Sequence, residues 1–209
     1  MGRGLRVVVG VVTTTLVMLY PLAIWFGLTH FSARTVGLWI LALLVPTALY
    51  RFRKARREDV LAVLRVPIAV ALVVGLGVLT DDARFVLAMP VLINAVLLVT
   101  FAGSLRGVPM IERFARMQEP ELSEAQRAHC RQVTWAWIFF FFLNGLCAAL
   151  LALFASRFWW AAYNGGVAYG LMGAMFAGEY VLRQFRFRKY GEGLHDRLLA
   201  RLFPPREGA

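Results

Sequence analysis

Apolar positions along this chain gather into six blocks, near residues 7–28, 36–52, 60–79, 85–105, 135–154 and 159–182, with polar segments between them. A helix rises ~1.5 Å per residue, so ~20 apolar residues cross the ~30 Å hydrocarbon core of a bilayer. Most of the blocks meet that length, and they predict an all-α, polytopic integral membrane helix bundle of about six transmembrane helices. The second block is the shortest. The third carries Arg65 in its first turns, a place from which a long side chain snorkels to the headgroups. Three hairpins, closed by short outer turns around His30, Asp81 and Arg157, are the expected organisation.

The segment between the fourth and fifth blocks, residues 106–134, is the one long connection. Val108, Ile111, Phe114 and Met117 recur there at helical spacing opposite Glu112, Arg113 and Arg116, which predicts an interfacial amphipathic helix ended by Pro120. Ser123 with Gln126 forms a capping box, in which hydroxyl and side-chain amide satisfy each other's orphan N–H groups, and starts a helix that runs into the fifth block. The tail repeats the amphipathic pattern, with Leu194, Leu198 and Leu202 beside Arg197 and Arg201, either on the membrane surface or docked beneath the bundle. The expected domains are a six-span region, residues 1–190, and a basic cytoplasmic tail, residues 191–209. Arg3 and Arg6 precede the first block as in a signal peptide. The best cleavage position, after Ala33, has bulky Phe31 where a small residue is required, so the block is expected to be an uncleaved span.

Composition excludes an ordinary soluble domain: 60% of the 209 residues are hydrophobic, 17% are charged and the mean hydropathy is +0.65. Charge fixes the orientation. Of the 23 Lys and Arg residues, all but Arg34, Arg84 and Arg157 fall on the side that holds both termini, so both termini are expected to be cytoplasmic. The net charge of +11 then faces the anionic headgroups of the bilayer, and no nucleic-acid partner is required. Cys130 and Cys147 flank the start of the fifth block and are expected to be free thiols.

Pro109, Met110, Ile111, Glu112 and Arg113, followed by Trp135, Ala136, Trp137, the run Phe139 to Phe142, Asn144 and Gly145, form a pattern that resembles the intracellular septation protein A family of bacterial inner-membrane proteins. Tyr50, Arg51, Phe52, Arg53 and Lys54 extend the resemblance, which covers roughly residues 38–182. Tyr163, Asn164 and Gly165, with Gly178, Glu179 and Tyr180, look closer to a related uncharacterised membrane-protein family. That family is encoded with aryl-polyene and fatty-acid-type biosynthetic clusters. The resemblance implies a multi-pass protein of the bacterial inner membrane connected with cell-envelope synthesis, septation or lipid-like pigment assembly. It supplies no catalytic residue, and the tail beyond Tyr190 departs from the septation family.

Few polar residues interrupt the blocks. Glu179 is the acidic one, and it reads either as an ion pair with Arg183 four residues on or as a proton or substrate site. Asn144 and Asn164, beside Gly145 and Gly165, read as interhelical packing groups or as a polar substrate pocket; Asn94 is similar but isolated. Gly166, Gly170, Ala174 and Gly178 have small-xxx-small spacing and are expected to pack opposite Gly145, Ala149 and Ala152. Asp81 and Asp82 precede a helix and read as N-caps in preference to metal ligands. Phe139 to Phe142 supply lipid-facing and packing surface, and Trp135, Trp137, Trp159 and Trp160 fit interfacial belts. His30, His129 and His195 lie in separate segments, and no metal, cofactor or catalytic motif is recognisable. Arg113, Phe114, Arg197 and Leu198 are the candidate contacts for a partner or the membrane surface. The expected function is a non-catalytic inner-membrane scaffold or accessory protein that contacts envelope- or lipid-synthesis proteins on its cytoplasmic face, with homo-oligomerisation open. A small transporter or flippase for a lipid-like product is the alternative, with Pro21, Pro46, Pro67 and Pro90 as candidate breaks, and an integral membrane enzyme stands last.

Overall fold

Apolar blocks broken by Asp, Ser and Pro become helices joined by tight turns in the computed structural model, which describes residues 19–54, 60–117, 119–188 and 204. The described residues contain helices and no strand. The first helix, α1, covers residues 19–30. It is followed by α2 (Ala33–Lys54), α3 (Val60–Thr80), α4 (Ala83–Leu87), α5 (Met89–Ser104), α6 (Met110–Arg116), α7 (Glu124–Phe154), α8 (Arg157–Ala162), a π-helical turn (Tyr163–Val167) and α9 (Ala168–Phe187). Two units divide the chain, Met1–Gly166 and Val167–Ala209.

Within the first unit, α2 packs on α3 and α5 packs on α7. The first pairing is close because Gly37 lacks a side chain: a Cβ there would lie 2.6 Å from Val78 Cγ2. At the second, a Cβ on Gly145 would stand 3.0 Å from the Asn94 Cβ. Gly145 therefore meets Asn94 within the first unit. Along α9 itself, a Cβ at Gly170, Gly173 or Gly178 meets open space.

A cluster of buried side chains ties the hairpins together: Ile24 and Leu28 from α1, Ala33 and Val36 from α2, Val86 and Leu87 from α4, Trp160 and Ala161 from α8. Trp160 is fully buried, and its indole N–H donates to the Leu87 carbonyl at 3.0 Å. This corrects its expected place in an interfacial belt, since neighbouring Trp159 alone is exposed. Trp137 departs in the same way: it is buried against Phe101, Phe140 and Phe141, whereas Trp135 is exposed. A belt tryptophan needs one face in lipid, and on these helices adjacent positions point to different sides.

The capping box at Ser123 and Gln126 forms in both directions and opens α7, which continues unbroken for 31 residues. Among the described helices, α7 is the one both long and apolar enough to cross a bilayer; shorter apolar helical stretches occupy Ala33–Leu49, Ile68–Thr80 and Met89–Ser104. One third of the apolar window of α7 is buried, and Phe139, Phe142, Leu146, Leu150 and Leu153 point outward along it. Cys130 and Cys147 are free thiols on this one helix, 17 residues and so about 25 Å apart, beyond disulfide reach.

Two of the apolar blocks are not single helices. The fourth breaks at Ala88 between α4 and α5, where Pro90 lacks the N–H that would continue the ladder. The sixth contains the π turn at Asn164, Gly165 and Gly166. Asn164 is buried there, and its side-chain amide donates 2.8 Å to the Trp160 carbonyl, one turn back.

Candidate functional site

Three turns that the sequence places on the same side, between α1 and α2, α3 and α4, and α7 and α8, line one basin of about 550 Å³. Its wall includes Phe31, Ser32, Asp81, Asp82, Arg84 and Arg157. Capping bonds build it. Ser32 caps α2 by accepting the Thr35 N–H at 3.2 Å, and Asp81 accepts the next orphan donor, the Arg34 N–H, at 2.7 Å from 47 residues further on. Asp82 accepts the Arg84 N–H at 2.9 Å and caps α4. Adjacent aspartates thus cap two different helices. The sequence indicated the cap on the following helix; the one reaching back to α2 comes from Asp81, whose backbone is left-handed, φ 53. Arg34 Nε donates to the Val78 carbonyl at 3.1 Å, and Arg157 Nη1 donates to the Leu28 carbonyl, so each arginine crosses to another hairpin.

A second polar feature crosses the interior of the first unit. The Tyr163 hydroxyl donates to Asn144 Oδ1 at 2.9 Å, Asn144 Nδ2 donates to Asn94 Oδ1 at 3.0 Å, and Asn94 Nδ2 donates to the Pro90 carbonyl at 2.8 Å. Both asparagines are buried. Asn94 is therefore not isolated, and Asn164 does not join Asn144; Tyr163, beside it, makes the link. The shared level of Asn94 and Asn144, each about midway along its block, was the available signal for that pair.

On the opposite side, α6 is held against α7. The Ser104 hydroxyl accepts the Met110 N–H at 2.9 Å, the Thr134 hydroxyl lies 3.4 Å from the Ile111 N–H, and Glu112 is buried beneath Arg116. Both Arg116 Nε (2.9 Å) and Nη2 (2.6 Å) contact the Glu112 carboxylate. Glu112 is thus not on an exposed polar face as the spacing suggested. Arg113 and Phe114 are exposed, as are Val108 and Met117. The other expected surface contacts, Arg197 and Leu198, lie outside the described residues, as do Leu194, Arg201 and Leu202.

In the second unit, Glu179 faces Arg183 at 3.8 Å, and the guanidinium also sits 5.7 Å from the Tyr180 ring centre. Long, partly exposed pairs of this kind contribute little, so Glu179→Gln is expected to change stability by less than about 1 kcal/mol. Detergent-solubilised protein unfolded by heat gives the measurement. A loss well above that value means that the carboxylate has a larger structural role. Among the described residues, no three His, Cys, Asp or Glu side chains are grouped to share a metal ion.

Comparison of this chain with protein-family models, with curated proteins and with solved structures returns no match.

Proposed function

We propose that the chain is a six-span, multi-pass protein of the bacterial inner membrane with both termini cytoplasmic, and that it acts as a non-catalytic scaffold or accessory protein for envelope or lipid-like biosynthesis. The observation that carries the membrane assignment is the distribution of side chains. Large apolar residues such as Leu43, Leu72, Val99, Phe139 and Leu153 are exposed, while Asn94, Asn144, Asn164 and Glu112 are inside and bonded. Water penalises that arrangement, and lipid favours it. The convergence of three short turns in one basin supports the expected hairpin parity.

The scaffold reading draws on the interior amides being bonded to one another and on Gly145 closing the space against Asn94. The connection with envelope or lipid synthesis rests on the sequence resemblance. One observation favours the transporter or flippase alternative: the fourth block is divided at Ala88 between α4 and α5, and discontinuous spans are characteristic of substrate sites in secondary transporters.

Reporter fusions test the topology. A fusion after Ala209 is expected to report from the cytoplasm, and one inserted between Asp81 and Ala83 from the outer side; the reverse pattern removes the orientation. The scaffold arm is a crosslinking pull-down from native membranes with Arg113→Glu and Arg197→Glu, in which reduced recovery of a cytoplasmic protein at normal membrane abundance is the expected result. Unchanged recovery leaves α6 and the tail as membrane anchors and removes the platform.

A further inference from the structure

Five charged side chains line or adjoin the outer basin, and among the described residues none of them is paired with another. Asp81 and Asp82 each give one carboxylate oxygen to a backbone amide, which leaves a second oxygen on each. Arg34 and Arg157 donate to carbonyl groups, and neither guanidinium forms an ion pair with a carboxylate among the described residues. The Arg84 guanidinium has no hydrogen-bond or ion-pair partner among the described residues. The cleft between them, about 550 Å³, falls within the ~300–1,000 Å³ of small-ligand sites.

A simple anion drawn to Arg84 and Arg157 meets two carboxylates, and a simple cation drawn to Asp81 and Asp82 meets the guanidinium groups. A ligand that carries both charges a few atoms apart satisfies both sets. Guanidinium forks match phosphate oxygens, and carboxylates accept from a compact ammonium group. We propose that this basin binds a zwitterion composed of a phosphate and a primary ammonium, the chemistry of an ethanolamine phosphate, carried either as a phospholipid headgroup or free in solution. The proposal rests on the membrane reading for its depth: in that topology the hairpin ends lie at the level of the outer headgroups.

Full-length protein in detergent is titrated calorimetrically with dihexanoyl phosphatidylethanolamine, with dihexanoyl phosphatidylglycerol and with soluble phosphoethanolamine. The ethanolamine lipid is expected to bind about tenfold more tightly than the glycerol lipid, which retains the phosphate but lacks the ammonium. Arg84→Gln and Asp82→Asn are each expected to weaken binding about tenfold, the loss of one charge-assisted contact. Asp82→Asn retains a capping side chain, and Arg84 has no side-chain partner to lose among the described residues, so thermal unfolding midpoints should stay near that of the parent. If Asp82→Asn nevertheless unfolds, the binding of Arg84→Gln decides the question.

Comparable binding of soluble phosphoethanolamine shows that the free zwitterion suffices, whereas binding of the lipid alone identifies the lipid as the source; either outcome upholds the proposal. Equal affinity for the two lipids, or undiminished binding by Arg84→Gln, overturns it. Failure of the membrane reading shows separately, as protein that stays monodisperse in water after the detergent is removed.

Discussion

Trp160→Ala is expected to lower the stability of the bundle by about 3 kcal/mol or more, because it empties a fully enclosed site and leaves the Leu87 carbonyl without its donor. The indole touches a cluster drawn from α1, α2, α4 and α8, so its loss loosens three hairpins at once. In a bilayer the gain from burial against lipid is small, and the loss comes from vanished packing contacts and the broken hydrogen bond. Trp160→Phe keeps most of the ring volume and removes the N–H, and it is expected to lose about 1 kcal/mol. Trp159→Ala, one residue away and 64% exposed, should stay within about 0.5 kcal/mol of the parent protein. Reversible unfolding in mixed micelles measures all three, and equal losses at positions 159 and 160 contradict the buried assignment of Trp160.

The second large effect belongs to the interior amides. Asn144→Ala removes the acceptor of Tyr163 and the donor to Asn94 together, and it is expected to lose about 2 kcal/mol. Asn94→Ala breaks the same central bond from the other side. A double-mutant cycle isolates their coupling, expected near the ~0.6–1.7 kcal/mol found for hydrogen bonds between membrane helices. Additive losses mean that the two side chains act independently, and the run of bonds from Tyr163 to the Pro90 carbonyl is then not one unit. Its donors all point the same way, from hydroxyl to amide to amide to carbonyl, so each bond polarises the next.

Much of the helical organisation was legible because it depends on short-range patterns. Ser123 and Gln126 are three residues apart, and their reciprocal cap depends on nothing distant. The long α7 and the turn at Asp82 follow from apolar runs ended by capping residues. The break inside the fourth block and the π turn inside the sixth were less legible. Pro90 was visible, but tolerance of proline in membrane helices leaves open whether it bends or divides a helix. The π turn depends on how Asn164 and two glycines settle against their surroundings. Block boundaries assigned Trp137 and Trp160 to belts because end positions carry no record of which way a residue faces. The candidate site was the least legible part. Asp81 and Asp82 announce a cap, but the tie from Asp81 to Arg34 spans 47 residues and a hairpin, and no local pattern encodes it. Asn94 and Asn144 likewise become partners only when α5 and α7 pack with Gly145 between them.

The two caps at the start of α2 become available at different times as the chain is made. Ser32 is one residue ahead of the helix and can serve the Thr35 amide as soon as that turn emerges from the ribosome. The Arg34 amide waits for Asp81, by which time all of α3 has been synthesised; until then water must hold that donor. Packing α3 against α2 therefore exchanges a hydrated helix end for one clasped by a carboxylate. Asp82, the next residue off the ribosome, then begins α4. A single pair of adjacent residues thus completes the cap of α2 and begins α4, so the order of translation is also the order in which these helix ends are fastened.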